Sequence, residues 1–235
     1  IMDELLHWGL RCSRREKTTH DKVFYIGTRI ADDVDLKDLR PELKAMFSDF
    51  SGKTVFTFVG TFNNFYNPSI IIEVAKRLER EGRKDVIFVL AGSGEYYDEV
   101  KAKAHNMDNI RLTGWLQHEE IMALLKHSDV GICPLNECRP CFPNKVFIYL
   151  SAYLPVISST PGEFEKLMKH HKLGIFYYPG DVEGLYHSVI ALTDPLARTK
   201  FKRNVTSVFD KLFDADKIYS EFTEHIECIA TNRTR

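Results

Sequence analysis

An α/β protein built on a twisted, Rossmann-like parallel sheet of about six strands flanked by helices is predicted by three features. Short apolar runs alternate with helical patterns from Val55 onward. The runs lack polar alternation, as expected of strands covered on both faces. The turns between them carry the glycines and prolines that end strands and open helices.

The expected strands are VFTFV (55–59), VIFVLA (86–91), IRL (110–112), DVGIC (129–133), PVIS (155–158) and GIFYY (174–178). In the first gap, Asn67-Pro68 supplies an N-cap and a proline at the first helical position, and Gly82 closes the helix. Helices over 95–104, 119–127, 144–153 and 163–171 fill the later gaps, giving a βαβ series with right-handed crossovers. From Asp181 to about Ala230 only helices are expected, with Pro195 parting the first from the next two. Residues 1–50 stand apart: ELLHWGLRC is amphipathic, VFYIG (23–27) reads as a lone strand and ADDVDLKDLRPE as a connector. The expected organisation is therefore a leading segment over 1–50, a sheet domain over 51–194 and C-terminal helices over 195–235.

Composition narrows the partners. A net charge of −1 in 235 residues gives no electrostatic footprint for nucleic acid. No apolar run approaches a membrane span, and no secretory signal opens the chain. Five cysteines, an odd number, point to a reducing, cytoplasmic setting. Arg11, Arg14, Arg15 and Lys17 follow the amphipathic first helix and leave open a peripheral contact with the inner membrane face. The chain starts at Ile1, which reads as a piece of a longer protein.

Open parallel sheets bind ligands beyond the carboxyl ends of their strands, so the residues just after each strand are the candidates. Gly60-Thr61-Phe62 lets backbone approach a ligand closely. Gly92-Ser93-Gly94 follows the second strand rather than the first and has Tyr97 where a dinucleotide fingerprint needs its third glycine. In FPNK, Pro143 fits a first helical turn and leaves the amides of Asn144, Lys145 and Val146 facing outward, where Lys145 adds a full charge. That is a seat for a diphosphate. Helical spacing sets Lys145, Ile148 and Ala152 on one face, with Val146, Tyr149, Leu150 and Tyr153 as the core stripe. Ile148 is thereby expected to face the same ligand as Lys145. Asp33-Val34-Asp35 matches a metal-chelating D-x-D but sits in a connector, and Cys138-x-x-Cys141 supplies only two ligands. No metal and no cofactor are expected.

The series VFTFVGTF, VIFVLAGSG, NIRLTGW, EEIMALLKHSDVGICPL, FPNKVFIYLSAYLPVIS and LGIFY resembles the C-terminal donor domain of retaining GT-B glycosyltransferases, family 4, over about Thr54 to Leu192. The resemblance implies one half of a GT-B fold that binds a nucleotide sugar, with a UDP-linked donor the commonest choice among relatives. Gly60, Thr61 and Phe62 would lie by the diphosphate, and Gly92, Ser93 and Gly94 would line the nucleotide cleft. Gly114, Trp115 and Leu116 would meet the base, and Asn144 and Lys145 the phosphates and sugar. Lys145 would be the catalytic cation. The family's two glutamates, with seven residues between them, fall here on Pro140 and Ile148, so the ribose-holding carboxylate is absent; Glu137 and Glu163 are candidate substitutes.

The implied activity is transfer of a sugar to a hydroxyl with retention, in bacterial surface-polysaccharide (O-antigen, capsule, lipopolysaccharide) assembly. The lipid-linked or oligosaccharide acceptor would be held by an N-terminal domain this chain lacks, so binding without turnover is expected. A nucleotide-sugar 2-epimerase of the same fold, or a binding module that has lost catalysis, remain as alternatives.

Overall fold

The computed structural model describes residues 2–14, 16–18, 20–30, 37, 39–137 and 141–233. In chain order the elements are α1 (Met2–Ser13), α2 (Pro41–Ser48), β1 (Thr54–Val59), α3 (Ser69–Arg80), β2 (Val86–Ala91), α4 (Tyr97–Lys103), β3 (Ile110–Gly114) and α5 (His118–Lys126). They continue with β4 (Val130–Cys133), α6 (Asn144–Ser151), β5 (Val156–Ser158), α7 (Glu163–His171), β6 (Gly174–Phe176), α8 (Val182–Thr193), α9 (Pro195–Leu212) and α10 (Ala215–Arg233).

All six expected strands form one sheet in the order β3-β2-β1-β4-β5-β6, and every pairing is parallel. The chain winds outward from β1 in both directions, so the order reverses between β1 and β4. That is where an open α/β sheet has its ligand crevice.

Strand alternation feeds two separate cores. Val55 and Val59 of β1, with Ile87, Val89 and Ala91 of β2, face α5, α6, α7 and α9. Phe56, Phe58, Phe88 and Leu90 face α3 and α8, meeting Ile71, Val74, Leu78, Leu185 and Val189. Thr57 shares the face of Val55, and its hydroxyl is 2.6 Å from that of Ser128.

Two local expectations are corrected. VFYIG is not a strand: among the described residues the segment around it holds a single bridge, Thr28 to Asp214. Tyr25 packs instead against the rings of Phe142 and Phe213, and Gly27 lies so close to the Ala215 backbone that a Cβ would collide with it. Pro68 and Pro143 are the caps of α3 and α6 rather than their first helical residues. The Asp33-Val34-Asp35 motif and Cys138, Arg139 and Pro140 lie outside the described residues.

Candidate active site

The crevice is built by the segments leaving β1 and β4. β1 and β4 are neighbours in the sheet. The first segment crosses to the second, because the Asn67 amide donates to the Pro134 carbonyl (3.0 Å) and the Asn136 amide donates to that of Phe65 (3.1 Å). Tyr66 thereby forms a bridge with Leu135.

Lys145 enters from the first turn of α6. Its side chain is buried, with Nζ 3.3 Å from the ring centre of Tyr66 and 3.9 Å from that of Phe58. A Cβ on Gly60 would collide with Nζ where it lies, so glycine there leaves the ammonium its place against the turn. Among the described residues this ammonium has no hydrogen-bond acceptor. Burial therefore pulls its pKa down to about 7, slightly opposed by the Cys133 sulfur. Burial likewise pushes the Cys133 thiol up. A cation this desolvated rests against ring faces, which attract it but accept none of its hydrogen bonds.

At the head of α6 the Val146 amide donates to the Pro143 carbonyl (3.0 Å). Because Pro143 is the cap, only the Asn144 and Lys145 amides are left for an anion, one fewer than expected. Asn144 is exposed and Pro143 is buried. The core stripe of the helix is as expected for Val146, Tyr149 and Leu150, all at most 1% exposed.

Ile148 does not share the surroundings of Lys145. It lines a cavity of about 510 Å3 between α5, α6, the Gly27–Ile30 segment and the start of α10, whose polar walls are His118, Ser151, Arg29 and Asp216. Glu137 is exposed, and Glu163, at the head of α7, acts on Tyr25, whose phenol is raised to about 12 by burial and then by the Glu163 charge. Neither carboxylate lines the Ile148 cavity; Asp216 does.

The glycine turns have a packing reason of their own. Gly92 (φ +135°) and Gly94 (φ +148°) lie against the Gly60–Phe62 backbone, where a Cβ on either would strike a carbonyl oxygen. The Phe62 amide donates to the Ser93 carbonyl (3.0 Å), and the Phe62 ring is fully buried against Phe58 and Tyr97. Thr61 and Ser93 are exposed. After β3, the Gly114 carbonyl accepts from the Gly92 amide (2.8 Å) and Leu116 is buried. The Trp115 ring is 69% exposed.

One ion pair escaped sequence reasoning. Arg40 donates to both carboxylate oxygens of Glu120 and to the Trp115 carbonyl (3.3 Å). Glu120 also caps α5 by accepting from the Gln117 amide. The spacing Gln117-x-x-Glu120 is a capping-box signal, but its partner Arg40 lies far off in sequence.

A doubly wound parallel sheet with a buried lysine beside its switch point is the architecture of an α/β ligand-binding domain. Residues 53–194 match the family model described as "Glycosyl transferases group 1", and the chain belongs to that family. A 2-deoxystreptamine N-acetyl-D-glucosaminyltransferase of Niallia circulans is 27% identical over 149 residues, 62% of this chain and 37% of that protein. An Anabaena protein, Alr3699/HepE, solved in complex with UDP-glucose, superposes with a TM-score of 0.71 at 18% identity, covering 88% of this chain and 57% of that one. WaaG, a glycosyltransferase involved in lipopolysaccharide biosynthesis, superposes at 0.65 and 13% identity over 89% of this chain and 57% of its own. The chain spans little more than half the length of these solved relatives. No described helix is long and apolar enough to cross a membrane.

Proposed function

We propose that this chain is the donor-binding half of a glycosyltransferase that moves a sugar from a nucleoside diphosphate, UDP, to a hydroxyl with retention, in bacterial surface-polysaccharide assembly. The observation that carries the reading is Lys145: a buried ammonium with no acceptor among the described residues, beside the Asn144 and Lys145 amides at the carboxyl edge of the sheet. In transfer the C1–O bond to the diphosphate breaks and the diphosphate leaves with the electron pair. The acceptor hydroxyl forms the new C1–O bond, and its proton would pass to the departing diphosphate oxygen. Lys145 and the α6 amides would stabilise the charge growing on the leaving diphosphate, the main electrostatic demand of the step. Support comes from the Anabaena neighbour solved with UDP-glucose, and from the Niallia relative's name. WaaG's part in lipopolysaccharide biosynthesis supports the cellular setting.

The nucleoside would lie over α5 and α6, with its ribose in the Ile148 cavity. There Asp216, His118 and Ser151 are the available polar partners. The lipid-linked or oligosaccharide acceptor would be bound by a further domain, so this chain by itself would bind donor without turning it over.

Calorimetric titration with UDP, GDP and ADP tests this, repeated on Ile148→Glu. UDP should bind, and the new carboxylate should tighten it about tenfold, the worth of about 1.4 kcal/mol from a charged hydrogen bond to a ribose hydroxyl. No binding by either form would transfer the weight to a module that has lost its nucleotide site.

A further inference from the structure

Lys145 cannot meet a diphosphate as it stands. Its Nζ has essentially no exposed surface, being enclosed by the Tyr66 ring, the Phe58 ring and the backbone of Gly60. We propose that Tyr66 is a positioning residue that gates Lys145: its ring covers the ammonium and must swing aside before the donor's diphosphate is engaged. This rests on the donor reading above.

Of the two shielding rings, Tyr66 is the one able to move. Phe58 belongs to β1 and is fully buried in the core beneath it. Tyr66 is only half-buried, on the segment that bridges to Leu135. The two backbone hydrogen bonds flanking it, from Asn67 to Pro134 and from Asn136 to Phe65, pin the main chain. Opening therefore needs a side-chain rotation and leaves the bridge intact. Such rotations are fast and small, and they suit a gate that must open at each binding event.

The cage also couples the gate to pH. The titratable groups near the ammonium are the Tyr66 phenol from the segment after β1, the Cys133 thiol at the end of β4 and the Cys141 thiol beside Tyr66; the hydroxyl of Tyr149, on the helix of Lys145 itself, is engaged by Val59 and Ile132. Among the described residues no carboxylate supports the charged form. With its pKa lowered to about 7, Lys145 is half neutral near that pH, whereas contact with a diphosphate restores its charge. Donor binding should take up a proton above about pH 7 and weaken as pH rises through that value.

The test uses Tyr66→Ala, Tyr66→Leu, which keeps apolar bulk should the alanine variant fold poorly, and Tyr66→Phe, which keeps the ring. Lys145 acylation is followed by peptide mass spectrometry, without nucleotide. Wild type and Tyr66→Phe should protect Lys145, and the ring-less variants should label it about tenfold faster. UDP should bind the ring-less variants about threefold tighter at pH 8, because the cost of opening is gone, with a flatter pH profile. Rapid labelling in wild type, or continued protection in both ring-less variants, overturns the gate whatever UDP does. Labelling as expected with weaker UDP binding also overturns it and makes Tyr66 a direct contact of the donor. Labelling as expected with no UDP binding by any form sinks the donor reading and the gate with it.

Discussion

One hydroxyl links the sheet to the helix that carries Lys145. Tyr149 donates to the Ile132 carbonyl (3.1 Å) and accepts from the Val59 amide (2.9 Å), so it joins the ends of β1 and β4 across the switch point. Its ring lies flat on Gly131, where any Cβ would collide with it. Tyr149→Phe keeps the ring but leaves the Val59 amide and Ile132 carbonyl without that partner in a dry interior. It should cost about 1–3 kcal/mol, seen as a lower Tm and a lower urea midpoint with an unchanged m-value. A Tm within one degree of wild type would mean that water replaces the hydroxyl. The helical face holding Tyr149 was readable from spacing alone. Its partners were not, because hydrogen bonds to main chain leave no trace in side-chain pattern. The same holds for the Tyr66 cage, whose members meet only because β1 and β4 are adjacent in the sheet.

At the scale of elements, the signals that worked were local. Asp194-Pro195 parts α8 from α9, and the structure shows why: the Asp194 carboxylate accepts from the Leu196 and Ala197 amides while Pro195 starts the helix. Just inside, Arg198 donates to the Leu192 and Thr193 carbonyls that end α8, and its Nε lies 3.4 Å from Asp129. The corner is thus tied from both sides. Asp194→Ala should lower stability by about 1 kcal/mol, measured as a shift of the urea midpoint, whereas Asp194→Asn, which keeps an acceptor, should recover most of it. Equal losses in both would assign the effect to charge rather than capping. VFYIG failed as a strand because β propensity describes a residue's fit to a pleated surface and does not supply a sheet edge. Its two aromatic residues found rings instead, Tyr25 at Phe142 and Phe213 and Phe24 at Phe222. The connector reading also hid α2, although Pro41 and Glu42 mark its first turn.

For the whole molecule, the sheet is a shared wall. Alternate residues of β1 and β2 belong to opposite cores, so neither core can open without disturbing strands that the other needs. The six-strand order was foreseeable as a parallel series, yet the 3-2-1-4-5-6 arrangement depends on which crossover turns back, and that is fixed by tertiary packing. Its consequence is measurable at Cys133, which ends β4 between β1 and β5 and is fully buried with its thiol pushed up. If the two cores unfold together, Cys133 should react with a thiol reagent only through global unfolding. Its labelling midpoint in urea should then coincide with the loss of helical circular dichroism. Cys12 and Cys228, both exposed, supply the native-state rate in the same digest. Labelling of Cys133 at well below the global midpoint would show that the switch-point edge opens on its own. The crevice would then be a separately mobile unit, and the stability of the chain could not be treated as one two-state quantity.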